Sequence, residues 1–232
     1  MVIFFDIDDT LVDQRKAEAA AALQVLAFYG HWLKRPYSAR EFCHEWRYLR
    51  DKHNRAFFAG QISLQEQRRR RTREFFASRE RALSDLEADL FFDFYEHHYR
   101  SSWALFDDVL PFFQSLPGSR FGVISNGSTT QQKLKLEQTG IDRYFDVIVV
   151  SEEIGAAKPD RNIFIAACER ARYPAQCCFY VGDRLDEDAL ASGAAGMQSF
   201  WLNRRQAPTD DGVEVIGSLH ELRAHLQDRL EI

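Results

Sequence analysis

The chain has few of the residues that would commit it to a secreted or membrane-spanning design. Of its 232 residues four are cysteines, Cys43, Cys168, Cys177 and Cys178; two are adjacent and none forms a C-x-x-C pair. Neither a zinc site nor a disulfide framework is therefore expected, and the thiols read as reduced, in a cytoplasmic setting. Long apolar runs are missing too. The run at the N-terminus, Met1 to Phe5, has no basic leader before it and is too short for a signal peptide or a membrane span. Positive charge is not in excess: the formal net charge of -5 leaves no basic field for nucleic acid or an anionic membrane surface. No internal repeat, low-complexity tract or long linker interrupts the sequence. A hydrophobic content of 45% is that of an ordinary globular protein able to bury a substantial core.

The first dozen residues organise the rest. Val2-Ile3-Phe4-Phe5 is apolar and β-favouring and runs straight into Asp6-Ile7-Asp8-Asp9-Thr10-Leu11. That pattern predicts a buried parallel strand whose carboxyl end delivers Asp6 to a ligand crevice. Asp6 and Asp8, two residues apart where the backbone leaves the strand, can converge on one small volume, and their mutual repulsion is relieved by a divalent cation. On its own the acidic cluster also reads as a solvated loop start or a helix N-terminus.

After Asp13 the pattern turns helical from Ala17 to Tyr29, closing at Gly30. No strand is apparent until about Ser102. Instead Ser38-Ala-Arg-Glu41, Ser63-Leu-Gln-Glu66 and Ser84-Asp-Leu-Glu87 each match the capping box and each opens a segment with helical apolar spacing, which predicts four helices in a row. From Phe106 strands and helices alternate. Strands are expected at Phe121–Ser125, Val147–Val150, Cys177–Val181 and Gln198–Leu202, with helices at Thr129–Gln138, Asp160–Arg172, Glu187–Gly193 and Ser218–Leu230. Alternation implies a parallel sheet covered on both faces, which the first strand must join. The expected architecture is therefore α/β: a doubly wound parallel sheet from residues 1–13 and 103–232, with an all-helical cap, 14–102, inserted after the first strand.

Three more groups sit at predicted strand ends. Ser125-Asn126-Gly127 places a hydroxyl and a glycine where backbone N–H groups could hold phosphoryl oxygens, although Ser-Asn-Gly also serves as an ordinary turn. Lys158-Pro159 ahead of a helix would aim an ammonium group at one point, unless Lys158 is simply a surface lysine. Gly182-Asp183 follows the strand at 177–181, and Asp188 lies five residues beyond Asp183.

Taken in order, D-I-D-D-T-L, Ser125, Lys158-Pro and G-D-x-x-x-x-D resemble the four motifs of the haloacid dehalogenase-like superfamily of phosphatases, whose capped members share the layout expected here. The resemblance implies that Asp6 attacks phosphorus to give an aspartyl-phosphate, while Asp8 protonates the leaving alcohol and later activates water. It implies a metal held by the Asp6 carboxylate, the Asp8 backbone carbonyl and Asp183, with Asp188 supporting the metal's water shell or orienting its neighbours. Thr10 would brace the turn, and Thr10, Ser125, Asn126 and Lys158 would contact substrate. A shell of oxygens completed by water and phosphate suits Mg²⁺. The substrate expected is a small phosphorylated metabolite, a nucleoside monophosphate or sugar phosphate.

Gly60 to Arg68 and Ser151-Glu-Glu-Ile-Gly155 resemble most the subgroup that contains noncanonical pyrimidine nucleotidases. A phosphomutase, a haloacid dehalogenase and a catalytically idle scaffold on the same fold are the alternatives. Asp8 argues against the dehalogenase, because family dehalogenases lack that carboxylate. Arg68-Arg69-Arg70-Arg71 spans most of a helical turn and reads as a solvated basic face. His97 and His98 read as surface residues, and the aromatic and cationic side chains of Trp46–Arg55 read as amphipathic packing or as substrate-selecting groups.

Overall fold

The computed structural model describes residues 1–33, 35–208 and 212–230, the last four by backbone alone. The chain divides into two compact units, one of Met1–Asp13 with Leu105–Ile232 and one of Gln14–Ala104.

The second unit is helical: α1 (Gln14–Tyr29), α2 (Ala39–Phe58), α3 (Leu64–Ala77) and α4 (Asp85–Arg100). Ser38 and Ser84 cap α2 and α4 with both halves of the capping box formed. Ser63 caps α3 with its hydroxyl alone, because the Glu66 carboxylate accepts from Arg70 at 2.7 Å. The unit's core is aromatic. Trp46 lies within 6.1 Å, centroid to centroid, of Phe42, Phe75, Phe91, Phe92 and Tyr95; it meets Phe75, Phe91 and Tyr95 edge-to-face, and such pairs each add about 0.5–1.5 kcal/mol beyond burial. The arginine run departs from the solvated face expected of it. Arg68 pairs with Glu96 and Arg69 with Asp85 and Asp89, and Arg71 is buried, its guanidinium 3.9 Å from the Trp46 ring. Cation–π stacking and a bond to the Trp46 carbonyl hold Arg71 inside.

The first unit is a six-stranded parallel sheet: β1 (Val2–Phe5), β2 (Phe121–Ser125), β3 (Phe145–Val150), β4 (Cys178–Gly182), β5 (Gln198–Leu202) and β6 (Glu214–Ile216), in the order β3-β2-β1-β4-β5-β6. Its helices are α5 (Val109–Ser115), α6 (Thr129–Thr139), α7 (Ser151–Ile154), α8 (Arg161–Ala171), α9 (Ala191–Ala194) and α10 (Leu219–Leu230). The strands from β1 to β3 build outward on one side and β4 to β6 on the other, so the order reverses at β1. Ligands of open α/β sheets bind at such a reversal, outside the carboxyl ends of the strands.

Alternation along β1 sends Val2 and Phe4 into a cluster with Ile163, Phe164 and Tyr180, and Phe5 against Phe112 and Phe113. The same period places Asp6 next in line on the Phe4 side. Leu11 and Val12 meet the returning chain through Phe106 N–H to the Leu11 carbonyl and the Val12–Leu105 bridge, so the chain leaves and re-enters this unit at one place. All four cysteines are free thiols, and no described helix is long and apolar enough to cross a membrane.

Candidate active site

Four loops at the carboxyl end of the sheet assemble the site. The first leaves β1, and the Asp6 N–H donates to the Val181 carbonyl on β4 at 2.9 Å, which keeps Asp6 in register with Gly182 and Asp183. The Asp6 carboxylate is buried, and its Oδ1 accepts from Lys158 Nζ at 2.7 Å. That ammonium also donates to Asp188 Oδ1 at 2.6 Å and to the Tyr180 hydroxyl at 2.9 Å. Three partners fit the three donors of a lysine. Lys158 is itself buried, and beside two carboxylates its pKa is raised despite a desolvation effect that works the other way.

Lys158 reaches this point because the β2 loop holds its backbone. Asn126 donates from Nδ2 to the Lys158 carbonyl at 3.0 Å and accepts from the Lys158 N–H at Oδ1, 2.8 Å. Asn126, expected to contact substrate, fixes the backbone of the lysine from both ends of its amide. Ser125 lies at the tip of β2, nearly fully buried, with its Oγ accepting from Gln132 Nε2 at 3.0 Å. Thr10 is fully buried; its hydroxyl has no hydrogen-bond partner among the described residues, and its carbonyl accepts from Arg204 Nη2 at 3.0 Å. Arg204 also forms a two-bond pair with Asp108, so the turn is braced through the Thr10 backbone.

The fourth loop, after β4, winds into a wide helical turn over Leu185–Leu190, in which the Ala189 N–H reaches back to the Arg184 carbonyl. Such wide turns recur at functional sites. Here it carries Asp188 back over Gly182, where an added Cβ would lie 2.3 Å from the Asp188 carboxyl carbon. Only glycine leaves room. Asp188 spends Oδ1 on Lys158 and Tyr180 and Oδ2 on the Arg184 N–H, 2.9 Å.

Oxygens of Asp6, Asp183 and Asp188 lie within 4.8 Å of one another. Three carboxyls at that spacing, those of Asp6 and Asp188 buried and that of Asp183 partly so, penalise ionisation. Burial pushes the Asp183 carboxyl up to about 9, with Asp6 and Asp188 adding to the rise; burial also raises Asp6 to about 7, against the opposing pull of Lys158. A bound cation would reverse both shifts. The donor set is all oxygen, which fits a hard divalent ion, and since Asp188 is committed to Lys158, Asp6 and Asp183 are the side chains left to hold one. The Asp8 carboxylate turns elsewhere, to Gln132 and Lys135 on α6, so only its backbone carbonyl could join them.

A stability experiment follows from these shifts. Both carboxyls titrate near 4 when unfolded and higher when folded, so between about pH 4 and about pH 9 the metal-free folded state binds more protons, and stability falls as pH rises. His53, lowered by burial, works in the opposite sense, so the informative quantity is the shift produced by Mg²⁺. Calorimetry should show Mg²⁺ raising the melting temperature more at pH 8.5 than at pH 5.5. That difference should shrink in Asp183→Asn; an equal shift at both pH values would contradict the site.

Sequence reasoning missed Tyr180, Gln132 and Lys135. Tyr180 was signalled only by a hydroxyl in an otherwise apolar strand, two residues before Gly182. Gln132 and Lys135 stand three apart on the helix after Ser125-Asn126-Gly127, a spacing that puts both on one face.

A parallel sheet whose order reverses at a strand ending in a buried, lysine-paired aspartate defines an α/β protein with an acidic site at its switch point. The chain belongs to the haloacid dehalogenase-like hydrolases, whose family profile matches residues 1–196. It is 39% identical over 108 residues to pyrimidine 5'-nucleotidase YjjG of Escherichia coli K12, a match covering 45% of this chain and 48% of that protein. The matched stretch thus spans about half of the relative's length. Among solved structures, the HAD-hydrolase YfnB of Bacillus subtilis, bound to magnesium, superposes over 97% of each chain with a TM-score of 0.77 at 23% identity. A 2-haloacid dehalogenase of Pseudomonas syringae pv. Tomato DC3000 does so over 98% of each chain with a TM-score of 0.69 at 25% identity.

Proposed function

We propose that the protein is a Mg²⁺-dependent phosphatase acting on a small phosphorylated metabolite, of the nucleoside monophosphate or sugar phosphate class. The observation that carries this reading is the bond between Lys158 and Asp6. It presents a carboxylate nucleophile beside a fixed positive charge, with Asp183 close by to share a cation, and phosphoryl transfer requires such positioning and charge neutralisation. When bound, Mg²⁺ would supply further neutralisation of the phosphoryl oxygens, held by Asp6, Asp183 and the Asp8 carbonyl.

In this reading an Asp6 oxygen bonds to phosphorus as the bond to the leaving alcohol breaks, and Asp8 gives that alcohol its proton. The charge of Lys158, whose donors are taken by Asp6, Asp188 and Tyr180, neutralises the transferring group, and the Ser125 hydroxyl binds it. Asp8 then takes a proton from water, which attacks phosphorus, releases phosphate and restores Asp6. Asp188 and Tyr180 hold Lys158 in place throughout. The helical unit, inserted directly after the loop bearing Asp6 and Asp8, serves as the cap that selects the leaving group.

The dehalogenase alternative remains worth separating, given the Pseudomonas syringae neighbour. Asp8 favours phosphoryl chemistry, because a halide leaves without a proton and needs no carboxyl there. A hydrolysis panel of nucleoside monophosphates, sugar phosphates and 2-haloacids, each with Mg²⁺ and with EDTA, decides between them. Phosphate release confined to Mg²⁺ is expected for at least one phosphate ester. Halide release, or conversion between phosphate isomers without phosphate release, would overturn the reading.

A further inference from the structure

The Asp8 carboxylate is gripped from α6 at both oxygens. Lys135 Nζ forms an ion pair with Oδ1, and Gln132 Nε2 donates to Oδ2 at 2.9 Å. Both α6 residues are buried, Lys135 at 2% and Gln132 at 3% exposure, which is unusual for either type. Burying an ammonium and an amide on the inner face of a helix is costly unless they meet partners, so their position is specific to this loop. Gln132 does more than hold Asp8. The same Nε2 lies 3.0 Å from Ser125 Oγ and 3.0 Å from the Asn126 carbonyl, and the amide packs over Gly127, where an added Cβ would come within 3.3 Å of it.

One amide thus joins the tip of β2, where Ser125 sits, to the turn after β1 that carries Asp8. Asp8 is partly exposed, at 27% of its side chain. A carboxylate on a loop has several rotamers open to it, and one clamped at each oxygen has one.

We propose that Lys135 and Gln132 are positioning residues which fix the Asp8 side chain in one orientation and set it in register with the Ser125 hydroxyl. The proposal rests on the phosphatase reading, in which Asp8 handles the proton of the leaving alcohol. Neither α6 residue touches the reacting atoms in this account; both act through Asp8. A misplaced proton donor handicaps poor leaving groups most, because an alkoxide needs its proton as the bond breaks whereas p-nitrophenolate departs without one.

The test compares an alkyl phosphate with p-nitrophenyl phosphate, both with Mg²⁺, in wild type, Lys135→Met, Lys135→Arg, Gln132→Leu and Asp6→Asn. Lys135→Met and Gln132→Leu are each expected to slow first-turnover alcohol release, the step in which Asp8 acts as acid, by about a hundredfold for the alkyl ester and by less than about a tenth of that factor for p-nitrophenyl phosphate, while the water step that both esters share slows alike. Lys135→Arg, which keeps a charge against Asp8, should recover part of the loss. A purely structural role would lower both substrates alike and would show as a lower melting temperature. If Lys135→Met fails to fold, Gln132→Leu decides alone, since it removes no charge. Equal losses of first-turnover alcohol release from the two substrates, or no loss, would overturn the positioning role while wild type stays active and Asp6→Asn does not. Inactive wild type, or active Asp6→Asn, would instead overturn the phosphatase reading itself.

Discussion

Asp6→Asn is expected to lower Mg²⁺-dependent hydrolysis of p-nitrophenyl phosphate by more than about a thousandfold, the order of loss seen when a nucleophile is removed, without unfolding the protein. The two halves of that expectation have separate causes. An amide oxygen can still accept from Lys158, so the bond that orders the loop can survive the change. Asparagine also removes one of three crowded carboxyls, which relieves repulsion in the metal-free protein. The amide, however, cannot form a turning-over acyl-phosphate, and chemistry stops there. A melting temperature equal to or above that of wild type, together with lost activity, is the combination to look for by calorimetry and phosphate release; retained activity would exclude Asp6 as nucleophile.

Lys158→Met should damage both activity and stability. The ammonium is the shared partner of Asp6, Asp188 and Tyr180, and all of these groups are buried. Methionine fills much the same volume but leaves two buried carboxyls facing one another without a cation. Breaking a buried pair in this way costs about 3–5 kcal/mol, or roughly 10 °C in melting temperature for a protein of this size. Activity should fall with it, because the group that neutralises the nucleophile and the transferring phosphoryl is gone. Mg²⁺ should recover part of the lost stability by pairing with Asp6, and little of the rate. Denaturant unfolding with and without Mg²⁺, set beside kcat, checks this; a variant as stable and as active as wild type would refute the role given to Lys158.

Much of the sheet could be read from the sequence because its strands are apolar runs stopped by Asp, Ser or Gly, and those stops are the site. The run Phe121–Ser125 was bounded correctly for this reason, and Gln198–Leu202 by Gly196 before it and Asn203 after it. Elements lacking such contrast were missed. Strand β6 has three residues, of which only Ile216 is buried. Helix α5 has seven residues with Pro111 inside it and no capping side chain, since the Asp108 carboxylate is taken by Arg204 and the Leu219 N–H. The wide turn at Leu185–Leu190 was expected to be an ordinary helix beginning at Glu187. Its form depends on Asp188 packing over Gly182, a tertiary contact that local propensity does not encode.

Within the site the same division holds. Asp6, Ser125, Lys158 and Asp183 were legible because each ends or follows a strand in a recognisable motif. Gln132 and Lys135 meet Asp8 across 124 and 127 residues of chain, and nothing local distinguishes them from the exposed polar residues of an amphipathic helix. The bonds from the Asn126 amide to the Lys158 backbone, 32 residues on, were likewise not legible from its turn-like setting.

The central claim is that Asp6 itself accepts the phosphoryl group, and trapping that adduct tests it most directly. Enzyme turning over a good phosphate ester with Mg²⁺ is quenched in acid, reduced with borohydride and digested, and the peptides are sequenced by mass spectrometry. Reduction of an acyl-phosphate converts aspartate to homoserine, so homoserine at position 6 is the result predicted, absent from Asp6→Asn and from enzyme without substrate. Homoserine at another aspartate during steady turnover would contradict the account.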